Sequence, residues 1–101
     1  MRATFQFITC TPPAARVRIA GDLDLASGEE LEDVLGSLEE VGCTQVELDL
    51  DALTFIDLPV LDLLRHKQQR LRGSGGNLRV VAASRRFDDA CERAELDTFA
   101  T

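Results

Sequence analysis

The chain has 101 residues, with 11 Lys and Arg against 18 Asp and Glu, a net charge of −7, and 45% hydrophobic residues. That length builds one hydrophobic core and excludes a two-domain enzyme, and the ordinary apolar fraction without a low-complexity tract argues against disorder. The acidic balance repels phosphate backbones, so nucleic acid is a poor partner.

Phe5 and Phe7 alternate with Thr4 and Gln6, and Val17 and Ile19 with Arg16 and Arg18, the period of two expected of half-buried strands. Pro12 and Pro13 punctuate them, which predicts a hairpin-like pair with a loose connection. Ser27-Gly28-Glu29-Glu30 fits a capping box. Leu31, Val34, Leu35, Leu38 and Val41 follow at helical spacing, predicting an amphipathic helix that ends near Gly42.

Val46, Leu48 and Leu50 alternate with Glu47, Asp49 and Asp51, a third strand with one apolar and one carboxylate-lined face. A strand covered on both sides reads as continuously apolar, so helices are expected mainly on one face of the sheet. After Thr54-Phe55-Ile56-Asp57-Leu58, Pro59 suits the start of a second helix whose inner side is Val60, Leu61, Leu64, Gln68 and Leu71. Gly73-Ser74-Gly75-Gly76-Asn77 stops it. Leu78, Val80, Val81 and Ala82 predict a fourth strand, and Phe87, Ala90, Cys91 and Ala94 a third, short helix. The expected fold is one α/β domain over residues 1–101, in the order β-β-α-β-α-β-α. Its mixed, mostly parallel sheet has four to five strands, with the first strand at an edge.

Charge is segregated along the chain. Thirteen acids and no Lys or Arg lie between Ile19 and Leu64, and seven bases and no acid between Arg65 and Arg86. The two blocks either neutralise each other in the fold or leave an acidic surface for a basic protein partner. Cys10, Cys43 and Cys91 are odd in number and lack C-x-x-C spacing, which predicts buried or inert thiols in a reducing compartment. The N-terminal stretch is too short and polar for a secretory signal, and no window has the length of a membrane span. A cytoplasmic location with no membrane partner is expected.

Catalysis has little to work with. His66 is the single histidine and stands among Arg65, Lys67 and Gln68, which reads as a solvated position. No metal-ligand spacing or G-x-S-x-G elbow occurs, so neither enzyme activity, a metal nor a cofactor is expected. The glycine run follows a helix and precedes a strand, the reverse of a phosphate cradle. A receiver-type phosphoacceptor at Asp57 fails as well, because the one lysine, Lys67, lies in the wrong element and a fifth βα unit is missing.

Three stretches carry a family resemblance: Arg18 to Ser27 with its Gly21-Asp22-Leu23-Asp24 turn, Val46 to Asp57, and Gly75 to Val81. Together, over about Phe5 to Phe99, they resemble the STAS domain of bacterial anti-sigma factor antagonists. The resemblance implies a non-catalytic module that binds an anti-sigma factor or serine protein kinase and thereby controls sigma-factor-dependent transcription. The family's site reads D-S-S-G or D-S-x-G, with the serine phosphorylated to switch binding off. Asp57 matches the aspartate, but Leu58 stands at the serine and Pro59 and Val60 replace the small residue and glycine. The switch is therefore not carried over. Residues expected to meet the partner are Asp22, Asp24, Ser27, Asp57, Leu58, Pro59, Val60 and Leu61, with Leu58 either a contact or folded back as a hydrophobic staple. The other reading is a sensor or scaffold STAS domain that binds a small ligand or other STAS proteins.

Overall fold

A computed structural model describes residues 2–95; Met1 and residues 96–101, including Phe99 at the end of the resemblance, lie outside the described residues. The elements are β1 (Thr4–Thr11), β2 (Ala14–Leu23), α1 (Leu25–Glu40), β3 (Gln45–Leu50), β4 (Leu53–Ile56), α2 (Leu58–Gly73), β5 (Asn77–Ala83) and α3 (Arg85–Arg93). They form a five-stranded sheet in which β1-β2-β3-β5 are successive neighbours and β4 also pairs with β2. The mixed α/β architecture is the one expected, with one strand more in its order.

That strand, β4, arises because β2 is long enough for two partners. Ala14 to Arg18 pair in parallel with β3, and Gly21 to Leu23 with β4. Between them the chain turns at Asp51-Ala52, where Asp49 Oδ1 accepts from Asp51 N–H at 3.0 Å and Ala52 O from Gly21 N–H at 3.1 Å. Asp side chains favour such local turns. A four-residue strand with two exposed middle residues has no period of two to betray it.

β1 lies antiparallel to β2 at the sheet edge, as expected. Its connection is a tight turn at Pro12 and Pro13, with a cis peptide between them, and not a loose one.

Alternation along β2 and β3 directs Ala15, Val17, Ile19, Leu23, Val46, Leu48 and Leu50 into the core. Leu31, Leu35 and Leu38 of α1, and Val60, Leu61, Leu64 and Leu71 of α2, cover that face. Removing this apolar surface from water is the main favourable term in the fold. Gln68 is the polar member of the α2 stripe. Though fully buried, it donates from Nε2 to Leu78 O at 2.9 Å, tying α2 to β5. Such a bond offsets the desolvation of the amide.

The opposite sheet face is charged. Glu47 of β3 is bonded by Arg16 of β2 at 3.0 Å and by Arg79 of β5. These guanidiniums, Arg79 first, hold the Glu47 carboxyl below the ordinary glutamate range. Arg70 reaches Glu39 at 3.8 Å, the last turn of α1, where acids otherwise oppose the helix dipole. Part of the basic block thus neutralises part of the acidic one. The exposed acids Glu29, Glu32, Asp33 and Glu40 lie on α1, which contains no Lys or Arg.

The turn after α2 uses its glycines sterically. Gly75 has φ +86°, and a Cβ on Gly76 would lie 2.1 Å from Thr44 O, which packs this turn against the α1–β3 loop. No helix among the described residues is long and apolar enough to cross a membrane.

Candidate functional site

The C-terminal ends of β2 and β4 release the chain side by side into α1 and α2, so the two helix starts are neighbours. At the first, Asp24 is the N-cap: its Oδ1 accepts from Ser27 N–H at 3.0 Å and from the Ser27 hydroxyl at 3.1 Å. The cap is therefore Asp24, and the helix begins at Leu25; Ser27 lies one turn inside, 8% exposed, and does not open a capping box. Aspartate in extended geometry is as good a cap as serine, and from its upstream position it reaches the Ser27 N–H.

Asp57 is the N-cap of α2 by backbone geometry, yet its carboxylate makes no bond to its own helix. Its Oδ2 accepts from Leu25 N–H at 2.9 Å, the first amide of α1, while its N–H donates to Leu23 O at 3.0 Å. One residue therefore welds the two starts together. α2 relies on Asp57 O, which accepts from Val60 and Leu61 N–H at 3.0 Å each, and on Pro59, which has no N–H to satisfy. Asp22 completes the cluster, accepting from Thr54 Oγ1 across the β2–β4 pair at 2.5 Å.

Around these carboxylates the side chains are apolar and exposed. Leu25 is 65% exposed, Leu58 54% and Phe55 47%. Leu58 does not fold back as a staple, and Pro59 is exposed beside it. Val60 and Leu61, expected among the contact residues, are 2% and 1% exposed. They face the core because α2 turns by about 100° per residue, so the two residues after the tip point inward and hold the tip in place. Leu25 and Phe55 are site residues that sequence reasoning missed. The signal available for Leu25 was its place directly after the capping Asp24, outside the apolar stripe that begins at Leu31.

On the flank of α2, Leu58, Pro59, Leu61, Asp62, Arg65 and Ala94 line an open groove of about 550 Å³. Arg65 bonds Asp62 at 2.8 Å there and holds its carboxyl below the usual aspartate range.

Chemically, the tip offers negative charge and apolar surface. Leu58 has no group that accepts a phosphoryl. The cluster's hydroxyls are those of Ser27, bonded to Asp24 and to Asp22 O, and Thr54, bonded to Asp22. His66, on the next turns of α2, is 63% exposed and 3.9 Å from Asp62. Among the described residues no group of three His, Cys, Asp or Glu is placed to hold a metal.

No curated protein sequence matches the chain. Solved structures do match. The unphosphorylated anti-sigma factor antagonist SpoIIAA superposes with a TM-score of 0.82 at 18% identity, over 97% of this chain and 86% of that one. The phosphorylated form of SpoIIAA, described as a Bacillus cell fate determinant, gives 0.76 at 17% identity, over 97% and 89%. An anti-sigma factor antagonist from Mycobacterium paratuberculosis gives 0.81 at 20% identity, over 98% and 83%. At such identities the likeness shows the fold, which is that of these antagonists. The family model described as the Mlab, STAS domain matches residues 8–101, nearly the whole sequence, and the chain therefore belongs to the STAS domain family.

Proposed function

We propose that this STAS domain is a non-catalytic, cytoplasmic regulator that docks through the tip formed by Asp24, Leu25, Asp57 and Leu58. Its partner on this reading is an anti-sigma factor or a related serine protein kinase, and its output is control of a sigma factor. The observation that carries the proposal is the exposure of Leu25 and Leu58 at 65% and 54% on either side of a carboxylate already committed to a backbone amide. Large apolar side chains presented together by a rigid, capped junction have the make-up of an interface centre, where a few anchors supply most of the binding energy. The acidic outer side of α1 adds steering toward a basic partner. Support also comes from the fold shared with proteins described as anti-sigma factor antagonists.

Because Leu58 cannot be phosphorylated, binding is constitutive at this position or controlled by other means. Incubation with the partner kinase and ATP leaves Thr54 and Ser74 without stoichiometric phosphate; finding it there would overturn this part of the reading.

The experiment for the whole is affinity capture on the wild-type chain and on Leu58→Glu, followed by mass spectrometry. Capture of an ATP-binding, kinase-like protein by the wild type, and its loss on the variant with circular dichroism and melting unchanged, supports the proposal. Full retention on the variant removes the tip from the interface. Recovery of other STAS chains instead favours the sensor or scaffold reading.

A further inference from the structure

At the end of the sheet opposite the tip, two of the three cysteines lie on adjoining segments. Cys10, near the end of β1, pairs across the hairpin with Ala15, a core-facing residue that is 2% exposed. Cys43 lies in the α1–β3 loop, 0% exposed, with its Sγ 3.8 Å from Ala14 O. The loop is fastened to the hairpin by the N–H groups of Thr44 and Gln45, which both donate to Pro13 O at 2.9 Å. Hairpin and loop thus hold each other at the start of β2, with one cysteine on each. Cys10 stands opposite Ala15 while the Cys43 sulfur touches Ala14, so the two cysteines flank the same two residues of β2. Of the thiols expected to be buried or inert, Cys10 is exposed, because it lies on the edge strand beside the Pro12-Pro13 turn. Cys91, on α3, belongs to neither segment.

We propose that Cys10 and Cys43 form a reversible intramolecular disulfide, with Cys10 the entry point for a low-molecular-weight disulfide and Cys43 the resolving thiol. Cys10 Sγ, as thiolate, attacks one sulfur of the oxidant and releases the first small thiol. Cys43 Sγ then attacks Cys10 Sγ, forming the protein disulfide and releasing the second. The protein's thiol pair loses two electrons, the oxidant's S–S bond gains them, and the two protons end on the released thiols. Exposure makes Cys10 the sulfur an oxidant reaches first. Burial, and then the neighbouring Cys10 sulfur, push the Cys43 thiol up, so Cys43 is the slower nucleophile and acts only on a mixed disulfide already held beside it. The bond would staple the β1–β2 hairpin to the α1–β3 loop without touching the tip.

The test uses the full chain, first reduced and then incubated with oxidised glutathione. The intact mass is expected to fall by the hydrogen pair lost. Tryptic digestion without reductant is expected to yield the peptide Ala3 to Arg16 linked to the peptide Ile19 to Arg65. Closing this loop raises Tm by on the order of 10 °C, and dithiothreitol reverses the rise. Cys91→Ser still forms the link, and Cys10→Ser, at an exposed site, melts like the reduced parent and forms none. A glutathione adduct that persists on Cys10 without the link, a Cys10–Cys10 dimer, or a link through Cys91 would overturn the proposal.

Discussion

The two helix starts at the tip do the same topological job with opposite means. α1 begins under two carboxylates: Asp24 takes Ser27 N–H, and Asp57 crosses over to take Leu25 N–H. α2 begins with no side-chain cap, a proline and an exposed leucine. The cap that α2 might have kept is spent on its neighbour. This difference shows that Asp57 is a joint between elements rather than a device of its own helix, and that Leu58 stands exposed at a junction fixed from both sides.

The contrast is sharpest along the start of α2 itself, where two outward residues, Leu58 and Pro59, are followed by two inward ones, Val60 and Leu61, within one turn. Leu61→Ala is expected to cost about 2–5 kcal/mol in chemical denaturation, because it removes a buried side chain and leaves a cavity. A cost below about 1 kcal/mol would mean that the core closes over the gap and does not hold the tip.

Asp57→Ala is expected to lower stability by about 1 kcal/mol, the usual value of a lost cap. The loss belongs to α1, so amide exchange should quicken at Leu25 and the first turn of α1. Exchange that quickens only in α2 would show that the weld is not what the carboxylate provides.

Leu58→Ala should change stability by no more than about 0.5 kcal/mol, as exposed sites do. Its effect is expected in partner binding and not in the melt. A variant that loses both would place Leu58 in the core after all.

A comparably small effect belongs to the open sheet face. Glu47→Gln is expected to cost about 0.5 kcal/mol at neutral pH, since both guanidinium contacts are exposed and screened. The Glu47 carboxyl is lowered in the fold, so its contribution is complete above the unfolded glutamate value of about 4.3 and disappears as the pH falls through the lowered folded value. Denaturation midpoints of parent and variant should therefore differ at neutral pH and converge in acid. A gap that persists in acid would assign the effect to packing rather than charge.

Much of this architecture is written locally. The alternation of Val46, Leu48 and Leu50 with acids, the α2 stripe through Gln68, and the glycine turn each follow from one element's own period, and each is found where that period places it. β4 is not so written, since four residues with a buried-exposed-exposed-buried pattern acquire strand character only from the free length of β2 beside them. The start of α1 is ambiguous in sequence for a similar reason: two plausible caps, Asp24 and Ser27, stand three residues apart, and the extended backbone at Asp24 selects the first.

The site divides along the same line. Asp57, the substitution of Leu58 for a phosphorylatable residue, and the segregation of acids ahead of bases are properties of the chain itself, because they depend only on residue identity and order. Composition made the net charge of −7 a reason to exclude nucleic acid. Only the fold decided which acids are neutralised, which are helix caps, and that Val60 and Leu61 turn inward while Leu25 and Phe55 turn out. It likewise brought Cys10 to Cys43 across a separation that no spacing rule connects. The physical reason is common to all of these: period and propensity act over a few residues, whereas a carboxylate's donor or a thiol's neighbour is supplied by whichever distant strand or loop the sheet places beside it.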